Sequence, residues 1–209
     1  MKKSKNEIKI PLFSPNITRE DKKAIESALI NQMLTDGPIL EKFEKMFAKF
    51  TGAKYAIGVS NATSALFLSL KAIGIKKNDE VIIPNMTFVA TANAVIHAGG
   101  KPVLIDVNLD DMNISVDEIK KAITKKTKAI LPVHFAGKAC DMIKIRTIVK
   151  DHNLYLIEDC AHAIGTRINK KHVGTFGNTG CFSFYPTKNI TTIEGGMVIT
   201  NSKKTYEKI

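Results

Sequence analysis

Residues 55–84 read YAIGVSNATSALFLSLKAIGIKKNDEVIIP. A short apolar run, Tyr55–Val59, is followed by a longer stretch, Thr63–Ile73, and then by a second apolar run, Val81–Pro84. Short apolar runs bounded by turn residues are typical of buried strands, whereas a longer stretch of good helix formers is typical of a helix. The segment therefore predicts a strand, a helix and a second strand in succession.

The same alternation continues along the chain. Further strands are predicted at Val103–Asp106, Ala129–Val133, Tyr155–Glu158, Cys181–Phe184 and Met197–Thr200. Helices are predicted between them at Phe88–Ala98, Val116–Ile123 and Ile143–His152. Strands that alternate with helices of this length predict an α/β fold, with a mixed, mostly parallel sheet between helices.

Two helices are predicted before the first strand. Thr18 is a typical N-cap with Asp21 in the first turn, which predicts a helix from about Arg19 to Gln32. A second helix is predicted to begin near Pro38 and to end at Gly52, a residue that favours the C-terminal cap. Residues 1–10 form a basic tail, and residues 11–209 are interpreted as one domain.

Composition and charge exclude several classes of protein. Hydrophobic residues make up 44% and charged residues 24% of the 209 residues, which is typical of a globular protein. The net charge is +11, but only three of the 31 basic residues are arginines and the lysines are spread along the chain. Nucleic-acid readers depend on arginine and on clustered charge, so we expect no nucleic-acid partner.

The cysteines, the N-terminus and the longest uncharged run indicate where the protein is located. Cys140, Cys160 and Cys181 are far apart and contain no CxxC pair, so neither a disulfide scaffold nor a cysteine zinc site is predicted, and we expect no metal. No secretory signal follows the basic N-terminus. The uncharged run 81–100 includes a proline and two asparagines and does not predict a membrane span. We expect a cytoplasmic protein.

Polar groups follow several of the predicted strands, where ligands bind in open α/β sheets. Asn61, Ala62 and Thr63 begin a helix whose free N–H groups suit a phosphate, and Asp159 ends a strand. Lys188 comes later in the chain. Each residue alone has an ordinary explanation: a helix cap, a strand-end acid or a surface lysine. Together they are the parts of a pyridoxal-phosphate (PLP) site, in which a lysine bonds to the cofactor and an aspartate keeps its ring nitrogen protonated.

Other catalytic motifs are weaker. The chain has no GxGxxG, Walker A, HExxH or EF-hand loop. Residues 58–62 read GVSNA, which nearly matches the GxSxG elbow of hydrolases around Ser60, but Ala62 replaces the second glycine and no acid–histidine pair follows in the expected order. A hydrolase remains an alternative on this motif.

Six segments carry a family resemblance: LTDGP at 34–38, VSNATSAL at 59–66, PNMTFVAT at 84–91, PVHFAG at 132–137, IEDCAHA at 157–163 and FSFYPTK at 182–188. In this order they make the chain similar to the DegT family of PLP-dependent sugar aminotransferases, from about Pro11 to the last residue. The resemblance implies the large domain of fold type I, with a seven-stranded sheet.

The resemblance also implies roles for single residues. Lys188 corresponds to the lysine that binds the cofactor covalently, and Asp159 to the partner of the pyridine nitrogen. The remaining assignments are Phe88 on one ring face, His162 near the other, Ala62, Thr63 and Ser183 at the phosphate, and Thr35, Asp36 and Gly37 near the sugar substrate. The family often has glycine at the positions of Ala62 and Ile193.

The implied reaction moves an amino group from glutamate to a keto sugar carried on a nucleotide. The resemblance also implies a homodimer for a protein of full length, and a small C-terminal domain beyond Ile209, so the chain is interpreted as truncated. Two alternatives stay open within the family. Sugar dehydratases replace the lysine with histidine, which Lys188 argues against, and a truncated paralogue without catalytic activity is a different class.

Overall fold

The computed structural model describes residues 11, 13–30 and 33–209, so the predicted tail at 1–10 lies outside the described residues. The helices are α1 (Arg19–Ile30), α2 (Pro38–Thr51), α3 (Ala62–Ala72), α4 (Ala90–Ala98), α5 (Val116–Ala122), α6 (Met142–Asp151) and α7 (Lys203–Tyr206). The strands are β1 (Tyr55–Val59), β2 (Glu80–Pro84), β3 (Lys101–Ile105), β4 (Thr127–Ile130), β5 (Tyr155–Asp159), β6 (Arg167–Ile168), β7 (Lys171–His172), β8 (Thr179–Ser183) and β9 (Gly196–Thr200).

Seven strands form one sheet in the order β1-β9-β8-β5-β4-β2-β3. Strand β9 runs antiparallel to both of its neighbours, β1 and β8, and the other pairs are parallel. The predicted mixed, mostly parallel seven-stranded sheet is therefore confirmed. Because β9 is reversed, strands β1, β2, β5 and β8 all end at the same edge of the sheet.

Helices cover both faces of this sheet. Successive side chains of a strand point to opposite faces, and β2 illustrates the result. Val81 and Ile83 pack with residues of α3 and α4, whereas Ile82 packs with residues of α5 and α6. A third buried cluster joins Phe47 of α2 to Phe182 of β8, with ring centroids 5.0 Å apart. Strands β2, β8 and β9 are consequently buried along their whole length, whereas the edge strands β1 and β3 are partly exposed.

The two N-terminal helices begin and end as predicted where the structure describes them. The Thr18 hydroxyl accepts from the Asp21 N–H, and the Asp21 carboxylate accepts from the Thr18 N–H, which makes a reciprocal cap. Gly52 has a φ of 79° and caps α2 in the left-handed region. Helix α1 contains no buried residue.

Several strand ends lie one or two residues from their predicted positions, such as those of β3 and β8. Two features of the sheet differ more from the sequence prediction. Strand β4 ends at Ile130, not at Val133, because Pro132 has no N–H for the ladder, and Val133 forms only an isolated bridge with Asp159. The hairpin β6–β7 was not predicted, since its strands are only two residues long and mostly polar. Residues 169 and 170 turn between them with positive φ angles of 46° and 66°.

A buried carboxyl group ties β5 to the segment that follows β7. Glu158 is 0% exposed. Its oxygens accept hydrogen bonds from the N–H groups of Gly174, Phe176 and Gly177 at 2.7, 2.8 and 2.7 Å. The Nδ1 atom of His134 accepts from the backbone N–H of Cys140, so the ring proton is on Nε2. Nε2 therefore donates to Glu158 at 3.2 Å. The carboxyl group therefore satisfies three buried donors and the partly buried N–H of Gly177.

Within the described ranges, the helices are too short or too polar to cross a bilayer.

Glu158→Ala should destabilise the fold by at least about 3 kcal/mol, because several buried N–H donors lose their acceptor at once. Urea unfolding followed by circular dichroism measures this change. Thr179→Val is the matched control. The Thr179 hydroxyl is buried without a hydrogen bond among the described residues, and the Cys181 thiol near it is only a weak partner. Its removal should be neutral or stabilising. A loss below about 1 kcal/mol for Glu158→Ala would contradict the anchoring role.

Candidate active site

A cavity of about 490 Å³ lies at the edge of the sheet where β1, β2, β5 and β8 end. Its walls come from the start of α3, the segment after β2, the end of β5 and the loop after β8. Parallel strands that end together leave a crevice at this edge, since their connections diverge to opposite faces. The topology therefore creates the cavity, and the residues that follow each strand give it its chemistry.

Seven predicted residues line this one cavity: Ala62, Thr63, Phe88, Asp159, His162, Ser183 and Lys188. They come from four separate parts of the chain, which meet at this edge of the sheet. The structure thus groups at one cavity the residues predicted for the cofactor.

Asp159 is a buried acid at the end of β5, with 5% of its surface exposed. Its Oδ2 accepts from the Thr91 hydroxyl at 3.0 Å and its Oδ1 from the Ala161 N–H at 3.1 Å. Burial raises the pKa of this carboxyl above its usual value, while the two hydrogen bonds and the nearby histidines act in the opposite direction. Asp159 is therefore a carboxyl held in a low-dielectric site with both oxygens oriented.

Lys188 and His162 line the cavity beside this acid. Partial burial lowers the pKa of Lys188, and the charge of Asp159 partly reverses the effect. Burial also lowers the pKa of His162, with a further contribution from the positive charge of Lys188. A lysine with a lowered pKa carries more of the neutral, nucleophilic amine near pH 7 than a surface lysine does.

The start of α3 supplies hydrogen-bond donors to the same cavity. Asn61 caps the helix, and its side chain accepts from the Ser64 N–H at 2.9 Å. The N–H groups of Ala62 and Thr63 belong to the first turn, which has no intrahelical acceptor for them. A Cβ on Gly196 would lie 2.4 Å from the backbone of Asn61, so only glycine lets β9 start this close to the helix. Ser183 adds a hydroxyl from the end of β8.

Phe88 lies at the wall of the cavity with 73% of its surface exposed. An aromatic ring in an ordinary core would be buried, so the exposed ring is consistent with contact to a molecule that the polypeptide itself does not supply.

The predicted substrate loop lies elsewhere among the described residues. Thr35, Asp36 and Gly37 do not line the cavity that contains Lys188. Asp36 instead borders a different cavity of about 460 Å³, together with residues of α2 and Tyr206.

Several lining residues were not predicted, among them Thr87, Thr91, Tyr185 and Glu194. Thr87 and Thr91 lie within the PNMTFVAT segment, but Thr87 precedes helix α4, so no helical spacing indicated the pair. Tyr185 and Glu194 flank Lys188 in the sequence, but nothing in their spacing distinguishes them from loop residues.

Two competing sites gain no support. The Ser60 hydroxyl lies 2.9 Å from that of Ser64 on the exposed side of the α3 start, and Ser60 does not line the cavity, so the hydrolase alternative has no partner histidine there. His134, Glu158 and Cys160 bring three possible metal ligands within 4.8 Å of one another. The two ring nitrogens of His134 and the oxygens of Glu158 are already engaged in hydrogen bonds, which makes this group a structural cluster.

The loop after Lys188 contains the second departure from the family pattern. Ile193 has a φ of 71°, in the left-handed region that favours glycine. A β-branched residue is strained there, by roughly 1–3 kcal/mol. Position 193, where the family often has glycine, thus has a backbone conformation that favours glycine.

The chain is similar to known sugar-modifying enzymes. It is 42% identical to the GDP-perosamine synthase of Vibrio cholerae over 95% of this chain and 54% of that protein. Among solved structures, Helicobacter pylori PseC, an aminotransferase of pseudaminic acid biosynthesis, superposes with a TM-score of 0.89 and 36% identity over 93% of this chain and 53% of PseC. The PLP form of Spr1654 from Streptococcus pneumoniae, a sugar aminotransferase by its description, gives a TM-score of 0.91 and 29% identity over 95% of this chain and 56% of that one.

These likenesses support the fold and the cofactor but cover only part of the relatives. The chain spans about half the length of the curated relatives it matches. The structural neighbours have fold type I, and pyridoxal phosphate is the cofactor that the family and the PLP form of Spr1654 indicate. Residues 15–209 match the DegT/DnrJ/EryC1/StrS aminotransferase family. The chain therefore belongs to the DegT/DnrJ/EryC1/StrS family of aminotransferases.

Proposed function

We propose that Lys188 binds pyridoxal phosphate and that the protein transfers an amino group from glutamate to the keto group of a nucleotide sugar. One observation carries this proposal: Lys188 and Asp159 line the same cavity as the open start of α3. A basic nucleophile, a buried acid and a set of backbone donors are the three groups that this cofactor needs, and they lie together here.

The donors at the start of α3 fit a phosphate. The N–H groups of Ala62 and Thr63 have no intrahelical acceptor, and the positive end of the helix dipole favours an anion at this point. The Ser183 hydroxyl accepts from the Tyr185 N–H at 3.3 Å, which leaves its own proton available to a ligand. Ala62 does not remove a donor relative to glycine, because the contact uses the backbone.

The acid and the flanking rings fit a pyridine. The Asp159 carboxylate would accept from a protonated ring nitrogen in a charge-assisted hydrogen bond. Phe88 and His162 line the same cavity and would cover the two ring faces. Pyridoxal phosphate, when bound, supplies a carbonyl group that takes up amines and a cationic ring that withdraws electrons.

Lys188 has two tasks in this proposal. It holds the cofactor through a covalent bond from Nζ. Once free, the same Nζ would be the general acid–base that moves the proton between the amine-bearing carbon and the cofactor. The lowered pKa of Lys188 suits a group that must both accept and donate near pH 7.

The substrate and the assembly are part of the same proposal. The relatives named above include a GDP-perosamine synthase, which favours a nucleotide sugar as amino acceptor. We propose glutamate as donor, Thr35, Asp36 and Gly37 as contacts for the sugar substrate, and a homodimer in the cytoplasm as the working form, as the family resemblance implies.

Pyridoxal phosphate followed by borohydride reduction should attach the cofactor to Lys188, because this is the lysine beside the acid and the phosphate donors. Peptide mass mapping locates the adduct. Lys188→Arg should remove it, whereas Lys120→Arg, a change at an exposed lysine of α5, should leave it in place. Labelling spread over other lysines, with none on Lys188, would refute the assignment.

The cofactor-free protein allows a direct test of the electrostatics. Acetic anhydride labelling as a function of pH should give Lys188 a midpoint below that of a lysine model peptide, because burial lowers its pKa. Asp159→Asn should shift the midpoint further down, since the carboxylate charge raises the pKa of Lys188. An unchanged or higher midpoint in Asp159→Asn would mean that the two groups do not interact.

The activity itself is tested with a panel of keto nucleotide sugars and glutamate. Product analysis by mass spectrometry should detect an amino sugar and 2-oxoglutarate with at least one acceptor. Lys188→Ala should lower the rate by about a hundredfold or more, the usual range for loss of a general acid–base group. A dehydrated sugar without nitrogen, formed in place of the amine, would identify a dehydratase instead.

A further inference from the structure

We infer that Thr91 is a positioning residue for Asp159, and that Thr87 orients Thr91 in turn. The inference rests on the proposed function, since it concerns how Asp159 is presented to a pyridine ring. Nothing in the resemblance or in the names of the relatives assigns a role to either threonine.

The contact itself is direct and buried. The Thr91 hydroxyl donates to Oδ2 of Asp159 at 3.0 Å, and Thr91 is 1% exposed. The Ala161 N–H donates to Oδ1 at 3.1 Å. A carboxyl group held by one donor on each oxygen cannot rotate about its last bond without losing both. One of these donors is backbone and follows from the strand end, so Thr91 is the side chain that selects the orientation.

The direction of the hydroxyl bonds follows from proton counting. Each threonine hydroxyl has one proton and two lone pairs. Thr91 gives its proton to Asp159, so the 2.7 Å bond between Thr87 and Thr91 requires Thr87 to be the donor. The relay therefore runs from Thr87 through Thr91 to the carboxylate, and an ionised Asp159 fixes its direction.

The relay also joins two parts of the fold that are not neighbours in the sheet. Thr91 lies in the first turn of α4, which follows β2, and Asp159 ends β5. Strand β4 separates β2 from β5 in the sheet. The hydroxyl bond thus ties the start of α4 to the end of β5 across the intervening strand, and both residues line the cavity.

The consequence concerns the charge of Asp159. Only the ionised carboxylate makes a strong pair with a protonated ring nitrogen. Burial opposes this form, whereas the Thr91 hydrogen bond favours it. Loss of the hydroxyl should weaken the pair with the ring nitrogen specifically, and leave contacts to the phosphate and the ring faces as they are.

An atom-specific binding experiment separates this effect from general damage. The affinity of each variant is measured by equilibrium dialysis for pyridoxal phosphate and for 1-deazapyridoxal phosphate, which has carbon in place of the ring nitrogen. The unsubstituted chain should prefer the cofactor with nitrogen. Thr91→Val should reduce this preference about tenfold, the usual size for a lost hydrogen bond to a charged group, with little change in affinity for the deaza analogue. Thr91→Ser keeps the donor and should restore the preference.

The controls keep every outcome informative. Asp159→Asn should abolish the preference, and Thr179→Val, a buried hydroxyl away from the cavity, should leave it unchanged. Thr87→Val changes a side chain that is only partly buried. This variant should also lower the preference for the nitrogen cofactor. It provides the test of the relay if Thr91→Val does not fold. A preference that survives in Thr91→Val, or in Thr87→Val when Thr91→Val does not fold, while Asp159→Asn loses it, would overturn the role of the relay and leave the proposed function intact. Failure of the unsubstituted chain to prefer the nitrogen cofactor would overturn both.

Discussion

The buried carboxyl group of Glu158 is the constraint on which the cavity depends. It is the acceptor for three backbone N–H groups from residues 174–177, and it is fully excluded from solvent. Because successive strand residues point to opposite faces, a Glu158 fixed on the face of Leu156 requires Asp159 to point to the other face, where α3 and α4 begin. Hydrogen bonds on the opposite side of the sheet thus fix the face to which the site acid points, which is why the two adjacent acids have such different surroundings.

Burial shifts the pKa values of Asp159 and Lys188 in opposite directions. Burial raises the pKa of Asp159 and lowers the pKa of Lys188, so each group alone would be pushed toward its neutral form. The charge of Asp159 acts against this on Lys188, and the hydroxyl of Thr91 acts against it on Asp159. A site that binds a cationic ring needs the acid ionised, whereas a nucleophilic lysine needs its amine neutral for part of the time. Partial burial of Lys188 beside a fully held carboxylate satisfies both requirements.

Local patterns were sufficient for the fold and for the strand-end residues of the cavity, whereas Phe88, His162 and Ser183 came from the family resemblance. Apolar runs placed the strands, and polar residues directly after β1, β5 and β8 are bound to meet at one edge once the strands are parallel. The end of β4 and the hairpin β6–β7 were missed, since a single proline or a two-residue strand has little periodic signal. Thr91 was missed for another reason. Its partner is 68 positions away, and the bond passes over β4, so only the three-dimensional arrangement identifies it.

The loop after Lys188 explains how an unfavourable residue is retained close to the site. Ile193 has a left-handed backbone, and its N–H donates to the Thr191 hydroxyl at 2.9 Å. That hydroxyl in turn donates to the Phe184 carbonyl at 2.9 Å, which also accepts from the Thr192 N–H at 3.0 Å. The strain of one residue is therefore opposed by several hydrogen bonds that anchor the loop to the end of β8. The result is a loop of defined path that brings Glu194 to the wall of the cavity that the start of α3 also lines. The hydrogen bonds of Thr191 and Thr192 thus allow a residue other than glycine at 193.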